Sequence, residues 1–382
     1  MRRLLATAGV NLALVLLPFL LLEGAFRLLP VTYLPQLMPV SAQAPVARFQ
    51  PNVEYPWSRD WNFSVVTRKR SNNYGFIHAA DYEAHKRGPL LAVIGDSLVE
   101  AQQVDAGHSV GDLLDAAVGG AGRVYSLGMS GAPLSQYLVY AEYARKTFGA
   151  DALAIVVAPN DYDESLLKYK ADPRFHYFDD DGTLRRRDYE LSGTRRILRH
   201  SAVLRFIMYN LDAGLRLEAL WKSMRGQTVS AESGAALERR LADSRRAVDY
   251  FLDQLPARTG LGRESIVFVV DPLRPALYDD DARAQADRGY FGRMTRHFAQ
   301  AAAARGYQVI DLERVFLPRY KLDGTRFEAA PTDSHWSALG HRVVAEEIRK
   351  SAAFTRTFRQ VPARPPNSAS DNAAAAGTPR SG

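Results

Sequence analysis

Five short apolar runs, separated by longer stretches of helical periodicity, constrain the chain after residue 89 more than any other feature. They cover residues 90–94, 124–127, 152–158, 266–270 and 309–312. Each is apolar at nearly every position and shorter than a typical helix, which is the pattern of a strand buried on both faces. Helical patterns lie between them, for example over 134–147, 235–255 and 290–304. Strands alternating with helices make βαβ units, whose crossovers place helices on both faces of a parallel sheet. The expected fold is therefore α/β, a three-layer α/β/α sandwich around a parallel five-stranded sheet. Ligands of such sheets bind beyond the carboxyl ends of the strands, so reactive side chains are to be sought there.

The ends of the chain follow other rules. Residues 4–22 carry no charge, and as a helix they would measure about 28 Å, close to the roughly 30 Å of a hydrocarbon layer. Arg2 and Arg3 precede them, which keeps the amino terminus cytoplasmic and sends the remainder across the membrane. Residues 1–30 are accordingly expected to be a single transmembrane anchor. A cleaved signal peptide is the alternative, with Ala42-Gln43-Ala44 as its cleavage site, but that tripeptide lies far beyond the apolar run and is followed by Pro45. Residues 31–88, rich in Pro, Asn and aromatics, read as an extended lead-in with short strands near 63–66. Residues 356–382, mostly Pro, Ala, Ser, Asn and Gly, read as a disordered tail.

The main domain is expected over 89–355, with an insert at 161–234 between its third and fourth strands. Within the insert, Ile197, Leu198, Leu204, Ile207, Met208, Leu211 and Leu215 fall at helical spacing, and Arg185, Arg186, Arg187, Arg195, Arg196, Arg199 and His200 form a basic cluster. The cluster is read as a solvated helix face, with a membrane surface or an anionic glycan as alternative contacts. Over the whole chain Lys+Arg 49 against Asp+Glu 42 gives a net charge of +7 with both signs scattered, so no nucleic-acid partner is expected. The absence of Cys excludes disulfides, thiolate metal sites and a Cys nucleophile.

The chemistry-bearing residues sit where the fold would place them. The first strand runs into Gly95-Asp96-Ser97-Leu98, which exposes a hydroxyl at a strand edge, although a Ser there is more often a helix cap. The second runs into Met129-Ser130-Gly131, where glycine permits a close backbone approach and an amide donor. The third runs into Asn160-Asp161, a carboxamide in the same crevice, or simply a turn. Past the last strand, in a loop, come Asp333-Ser334-His335-Trp336, an acid and a base two residues apart, with Asp311 as an alternative acid. His341 and the remaining histidines have no partner pattern and read as structural, and Trp336 reads as core packing or as a sugar-stacking ring.

Taken together, these blocks resemble the SGNH, or GDSL-type, hydrolases. The resemblance runs from about Asn72 to Lys350, apart from the insert, and matches Ser97, Gly131, Asn160 and His335 with Asp333. Ala158-Pro159 stand where the family usually has glycines, and the Asp-x-His-Trp form of the last block is similar to that of alginate O-acetyltransferase relatives. The lead-in Asn72-Asn73-Tyr74-Gly75-Phe76 and the anchor resemble membrane-tethered members among bacterial exopolysaccharide and cell-envelope proteins. The resemblance implies a flavodoxin-like sheet, catalysis by Ser97, Asp333 and His335, and an oxyanion hole of Ser97, Gly131 and Asn160. Nothing in the sequence calls for a metal or a cofactor: it has no His-Glu-x-x-His and no Gly-x-x-x-x-Gly-Lys.

The expected function is that of a serine esterase acting on O-acyl, chiefly O-acetyl, groups of a polysaccharide or envelope glycan. Transfer of the acyl group to a sugar is the alternative, and a non-catalytic glycan-binding scaffold is a second. The expected place is the bacterial inner membrane with the catalytic domain on the periplasmic side, in or near a polysaccharide-export or modification complex.

Overall fold

The structure, a computed structural model, describes residues 2–41, 44–186, 199–211, 234–330 and 333–359. In chain order the strands are β1 (Glu54–Arg59), β2 (Val65–Arg70), β3 (Leu90–Gly95), β4 (Arg123–Gly128), β5 (Ala152–Val157), β6 (His176–Phe178), β7 (Leu184–Arg186), β8 (Ile266–Val270), β9 (Gln308–Asp311), β10 (Glu328–Ala330) and β11 (Asp333–Trp336). The five expected apolar runs become one parallel sheet in the order β4-β3-β5-β8-β9. Every residue of β3, β5 and β8 is buried, which is why these runs do not alternate with polar residues. Alternate residues of β3 feed opposite cores: Leu90, Ala92 and Ile94 belong to one cluster, Leu91 and Val93 to the other.

Helices complete the three layers. Leu134–Phe148, Gly234–Thr259 and Tyr290–Ala304 bury Leu138, Phe251 and Phe298 on the first face. Val110–Val118 and Ala338–Lys350 bury Leu114 and Val344 on the second. From β3 the chain moves out to the edge strand β4 and then back past β3 to β5. The carboxyl ends of these three strands therefore surround one crevice, the switch point of the sheet.

Several expectations need correction. Within the lead-in, the short strand expected near 63–66 is β2, which pairs antiparallel with β1 in a hairpin that grips the segment after the first sheet strand. Thr67 Oγ1 donates to the Gln102 carbonyl (2.7 Å), and the buried Lys69 Nζ donates to the carbonyls of Ala101 (2.7 Å) and Val104 (2.6 Å). Ala101 has φ +53°, a conformation that a residue with a Cβ holds only under outside constraint. Burial brings the Lys69 pKa down to about 8, opposed by the carboxylates of Asp112, Glu100 and Asp105.

The charge-free run lies in a helix, Arg2–Arg27, with Pro18 inside it, but the side chains at 2–10, 12, 13 and 15 are not among those described. Among the described residues no helix is long and apolar enough to cross a membrane, so the expected transmembrane anchor is not shown. The carboxyl end of this helix is docked. Glu23 accepts from Ser201 Oγ (2.8 Å) and from the amides of Ala202 (2.9 Å) and Val203 (3.2 Å), capping the short helix Ala202–Arg205.

Of the insert, residues 161–186, which include β6 and β7, residues 199–211 and Gly234 are described. Ile197, Leu198 and Leu215, and with them Arg187, Arg195 and Arg196, lie outside the described residues. Arg199 is not on a solvated face: it is half-buried and donates to Tyr33 Oη (3.0 Å). At the other end, Ala352–Phe358 is a helix with Ala353 and Phe354 buried, so the folded unit passes residue 355; residues 360–382 of the expected tail lie outside the described residues.

Candidate active site

The nucleophile turn is built from the end of β3. A Cβ on Gly95 would stand 2.5 Å from Val99 Cγ2, so only glycine allows the following helix to start this close to the strand. Asp96 is the N-cap of that helix, accepting from the Leu98 amide at 2.9 Å. Ser97 is therefore released from capping, the more common role for a Ser at this place. Its Oγ lies 2.8 Å from His335 Nε2.

The base comes from a hairpin rather than from the loop expected there. β11 pairs antiparallel with β10, and because side chains alternate along a strand, residues 333 and 335 share a face. That periodicity explains the two-residue spacing of acid and base. Asp333 Oδ1 accepts from the His335 amide (3.0 Å) and from the His335 Nδ1–H. With Nδ1 as donor, Nε2 is the acceptor facing the Ser97 hydroxyl. Asp311 has other partners, the Glu313 amide (3.1 Å) and Arg314 (3.3 Å), so Asp333 is the acid that orients the ring.

The electrostatics suit a base that must accept a proton. Burial disfavours charge on His335, but the Asp333 hydrogen bond and charge outweigh it and hold the pKa above the ordinary histidine value. Burial likewise opposes charge on Asp333, and the His335 hydrogen bond reverses this, so its carboxyl stays below the usual range. Asp96, buried beside the nucleophile, is pushed up to about 6 by burial, with the Leu98 amide and His335 opposing.

The proposed oxyanion donors share the same edge. Ser97, Gly131 and Asn160 follow the neighbouring strands β3, β4 and β5, with Gly95 in register with Gly128. Gly131 has φ +82°, and its carbonyl accepts from Lys170 Nζ (2.9 Å); the Ser130 amide before it donates to buried Glu100, the last residue of the nucleophile helix. Asn160 Nδ2 donates one hydrogen to Glu164 Oε2 at 3.3 Å, which leaves its second N–H for an oxyanion. The structure thus joins Ser97, His335 and Asp333 in one line of hydrogen bonds. Among the described residues no hydrogen bond links Gly131 or Asn160 to that line. Asp161 holds the third block as a turn, accepting from the Ala158 amide (2.7 Å) and Tyr137 Oη (2.9 Å).

Other expectations separate here. Trp336 is fully buried and its Nε1 donates to Asp271 Oδ1 (2.8 Å), so it is core and not a sugar platform. His341 is buried and accepts from the Val110 amide (3.2 Å), and burial drives its pKa down to about 3, a neutral structural ring. Asp271, just past β8, was not singled out by the sequence; the carboxyl-end rule that found Ser97 applies to it equally. Among the described residues no cluster of three or more His, Asp or Glu side chains is arranged to hold a metal ion.

A cavity of about 550 Å³ adjoins the second block, lined among others by Leu37, Trp57, Glu100, Ser130, Arg205 and Tyr209. Lead-in and insert thus supply walls next to the Met129–Gly131 turn. A larger hollow of about 760 Å³, at His176 and Arg258, shares no lining residue with the triad or that turn.

The family model described as the SGNH hydrolase-like domain of the acetyltransferase AlgX matches residues 229–377, a stretch that contains Asp333 and His335 but not Ser97, Gly131 or Asn160. No curated protein matches the chain. Solved structures similar to it include the lipase Lip_vut3 from a goat rumen metagenome, 14% identical over 70% of this chain and 99% of that one with a TM-score of 0.40. The acetyl xylan esterase AlAXEase is 12% identical over 68% and 97%, with a TM-score of 0.36. A lipolytic G-D-S-L family member from Veillonella parvula is 12% identical over 68% and 96%, with a TM-score of 0.34. Likeness that distant carries no chemistry to this chain, which rests on its own geometry.

Proposed function

We propose, for a chain that is SGNH hydrolase-like and related to AlgX over residues 229–377, that it is a serine esterase removing O-acyl groups, chiefly acetyl, from a polysaccharide or other envelope glycan. The observation that carries this reading is the hydrogen-bonded line from Asp333 through His335 to Ser97. A serine hydroxyl is a weak nucleophile at its free pKa, and this line activates it. His335 takes the Ser97 proton as Oγ attacks the ester carbonyl, and Asp333 holds the tautomer and stabilises the imidazolium. The amides of Ser97 and Gly131, with the second N–H of the Asn160 carboxamide, stabilise the oxyanion, each donor contributing about 3 kcal/mol. The sugar alcohol leaves with the proton from His335, and water, deprotonated by His335, then attacks acyl-Ser97 to give the free acid as His335 returns that proton to Ser97 Oγ.

Transfer to a sugar hydroxyl is the second reading, favoured by the acetyltransferase named in the family match and by the walled cavity beside Ser130. A transferase must exclude water and position its acceptor, for which such walls are useful. Given an acetylated oligosaccharide and excess acceptor, the full chain is expected to release mainly free acetate. Mass spectrometry finding mostly acetylated acceptor would reverse the order. A non-catalytic scaffold has no use for a base poised on a serine, which argues against that third reading.

Attachment to the bacterial inner membrane, with the catalytic domain on the periplasmic side near an export or modification complex, belongs to the same proposal. It is supported by Leu14, Leu17, Leu20 and Leu21 in the helix Arg2–Arg27, each more than half exposed, a pattern that is costly in water. The protein is expected to stay with membranes through high-salt and carbonate washes and to be released when residues 1–30 are removed. Full release of the intact chain by carbonate would remove this part of the reading.

A further inference from the structure

Asp271 and Arg274 have no part in the mechanism above, yet they form a buried ion pair at the edge that holds the triad. Arg274 Nη2 lies 2.8 Å and 3.0 Å from the two Asp271 oxygens, with both side chains almost fully buried. Burying a charge pair is a poor route to stability, because desolvation offsets most of the attraction. What distinguishes this pair is what else it holds. Arg274 Nε donates to the carbonyl of Ser334 (3.0 Å), and Asp271 Oδ1 accepts from the Trp336 indole (2.8 Å). Those are the residues immediately before and after the base.

Along a strand, residue 336 faces opposite to 335. The pair therefore holds β11 from behind through the Trp336 ring and the Ser334 carbonyl, while the His335 ring projects forward to Ser97. The pairing of β11 with β10 has two registered positions, Glu328↔Trp336 and Ala330↔Asp333, with an irregularity between them. Asp271 is itself tied to the sheet, its amide donating to the Val157 carbonyl at the end of β5 (2.9 Å). The brace thus runs from the central sheet to the base.

We propose that Asp271 and Arg274 are positioning residues that set the reach of His335 Nε2 to Ser97 Oγ. The inference rests on the acyl-serine reading. A misplacement of about 1 Å in such a group costs on the order of 10² in rate, whereas binding of the ester, which neither residue touches, is untouched.

The test uses the full chain with 4-nitrophenyl acetate as substrate and a fluorophosphonate as probe, rates being expressed per folded molecule by circular dichroism. Asp271→Asn and Arg274→Gln are each expected to lower kcat and the labelling rate together by about 10- to 100-fold, with KM within about twofold. Trp336→Phe, which removes one link and leaves the ion pair intact, is expected to lower both about threefold to tenfold and serves if the charge variants do not fold. Wild-type kcat and labelling per folded molecule, with only the melting temperature lowered, would overturn the positioning role. His335→Ala separates the two claims: if it labels as fast as the wild type, the acyl-serine reading fails, whatever the brace does.

Discussion

Ser97→Ala is expected to lower ester turnover by on the order of 10³ to 10⁶ and to abolish labelling by a fluorophosphonate. The size follows from geometry. Ser97 Oγ has a base at 2.8 Å, and no weaker nucleophile replaces it once the hydroxyl is gone. His335→Ala is expected to cost comparably, since the hydroxyl left behind has lost its proton acceptor. The double variant is expected to be hardly worse than either single one, because the two side chains act as a unit. Label that persists on another serine in Ser97→Ala would end the assignment.

Asp333→Asn is expected to have the next largest effect, about 10⁴ in kcat. The wild-type carboxylate accepts from both the His335 amide and Nδ1, which leaves Nε2 free to take the Ser97 proton. A carboxamide presents an NH₂ as readily as an oxygen, and with the NH₂ toward Nδ1 the ring proton moves to Nε2, where it blocks the base. The pH profile should move as well. Asp333 is the main cause that raises the His335 pKa against burial. Without it burial prevails, the ring loses its proton at lower pH, and the rising limb of kcat/KM shifts toward acid. A limb that shifts toward alkali, or a loss below tenfold, would show that Asp333 does not orient the ring.

The three inner strands were legible because burial on both faces leaves no polar residue to interrupt their runs; the sequence run 266–270 is β8 itself. The carboxyl-end rule then led to Ser97, Gly131 and Asn160. The strand carrying the base was not legible. Asp333-Ser334-His335-Trp336 has one large apolar residue and no period, and it becomes a strand only because Glu328–Ala330 lies beside it. Asp271 obeys the same end-of-strand rule as Ser97, but its meaning depends on Trp336, 65 positions away. The grip of Lys69 on residues 101 and 104 is equally non-local: a lysine in an edge hairpin normally signals solvent, and this one is buried because carbonyls elsewhere in the chain require a donor.

That grip redraws the smallest portable unit of this chain. The sheet begins at Leu90, and a gene rearrangement or shortened chain that respected only the sheet would cut there. Such a cut leaves Ala101 in its left-handed turn without the Lys69 ammonium, and Gln102 without Tyr55 and Thr67. Glu100, next to that turn, is what ties the Ser130 amide to the nucleophile helix. The alignment of the second block with the nucleophile is therefore inherited from the hairpin Glu54–Arg70 as well as from the sheet. A piece able to carry its chemistry into another protein must start upstream of that hairpin.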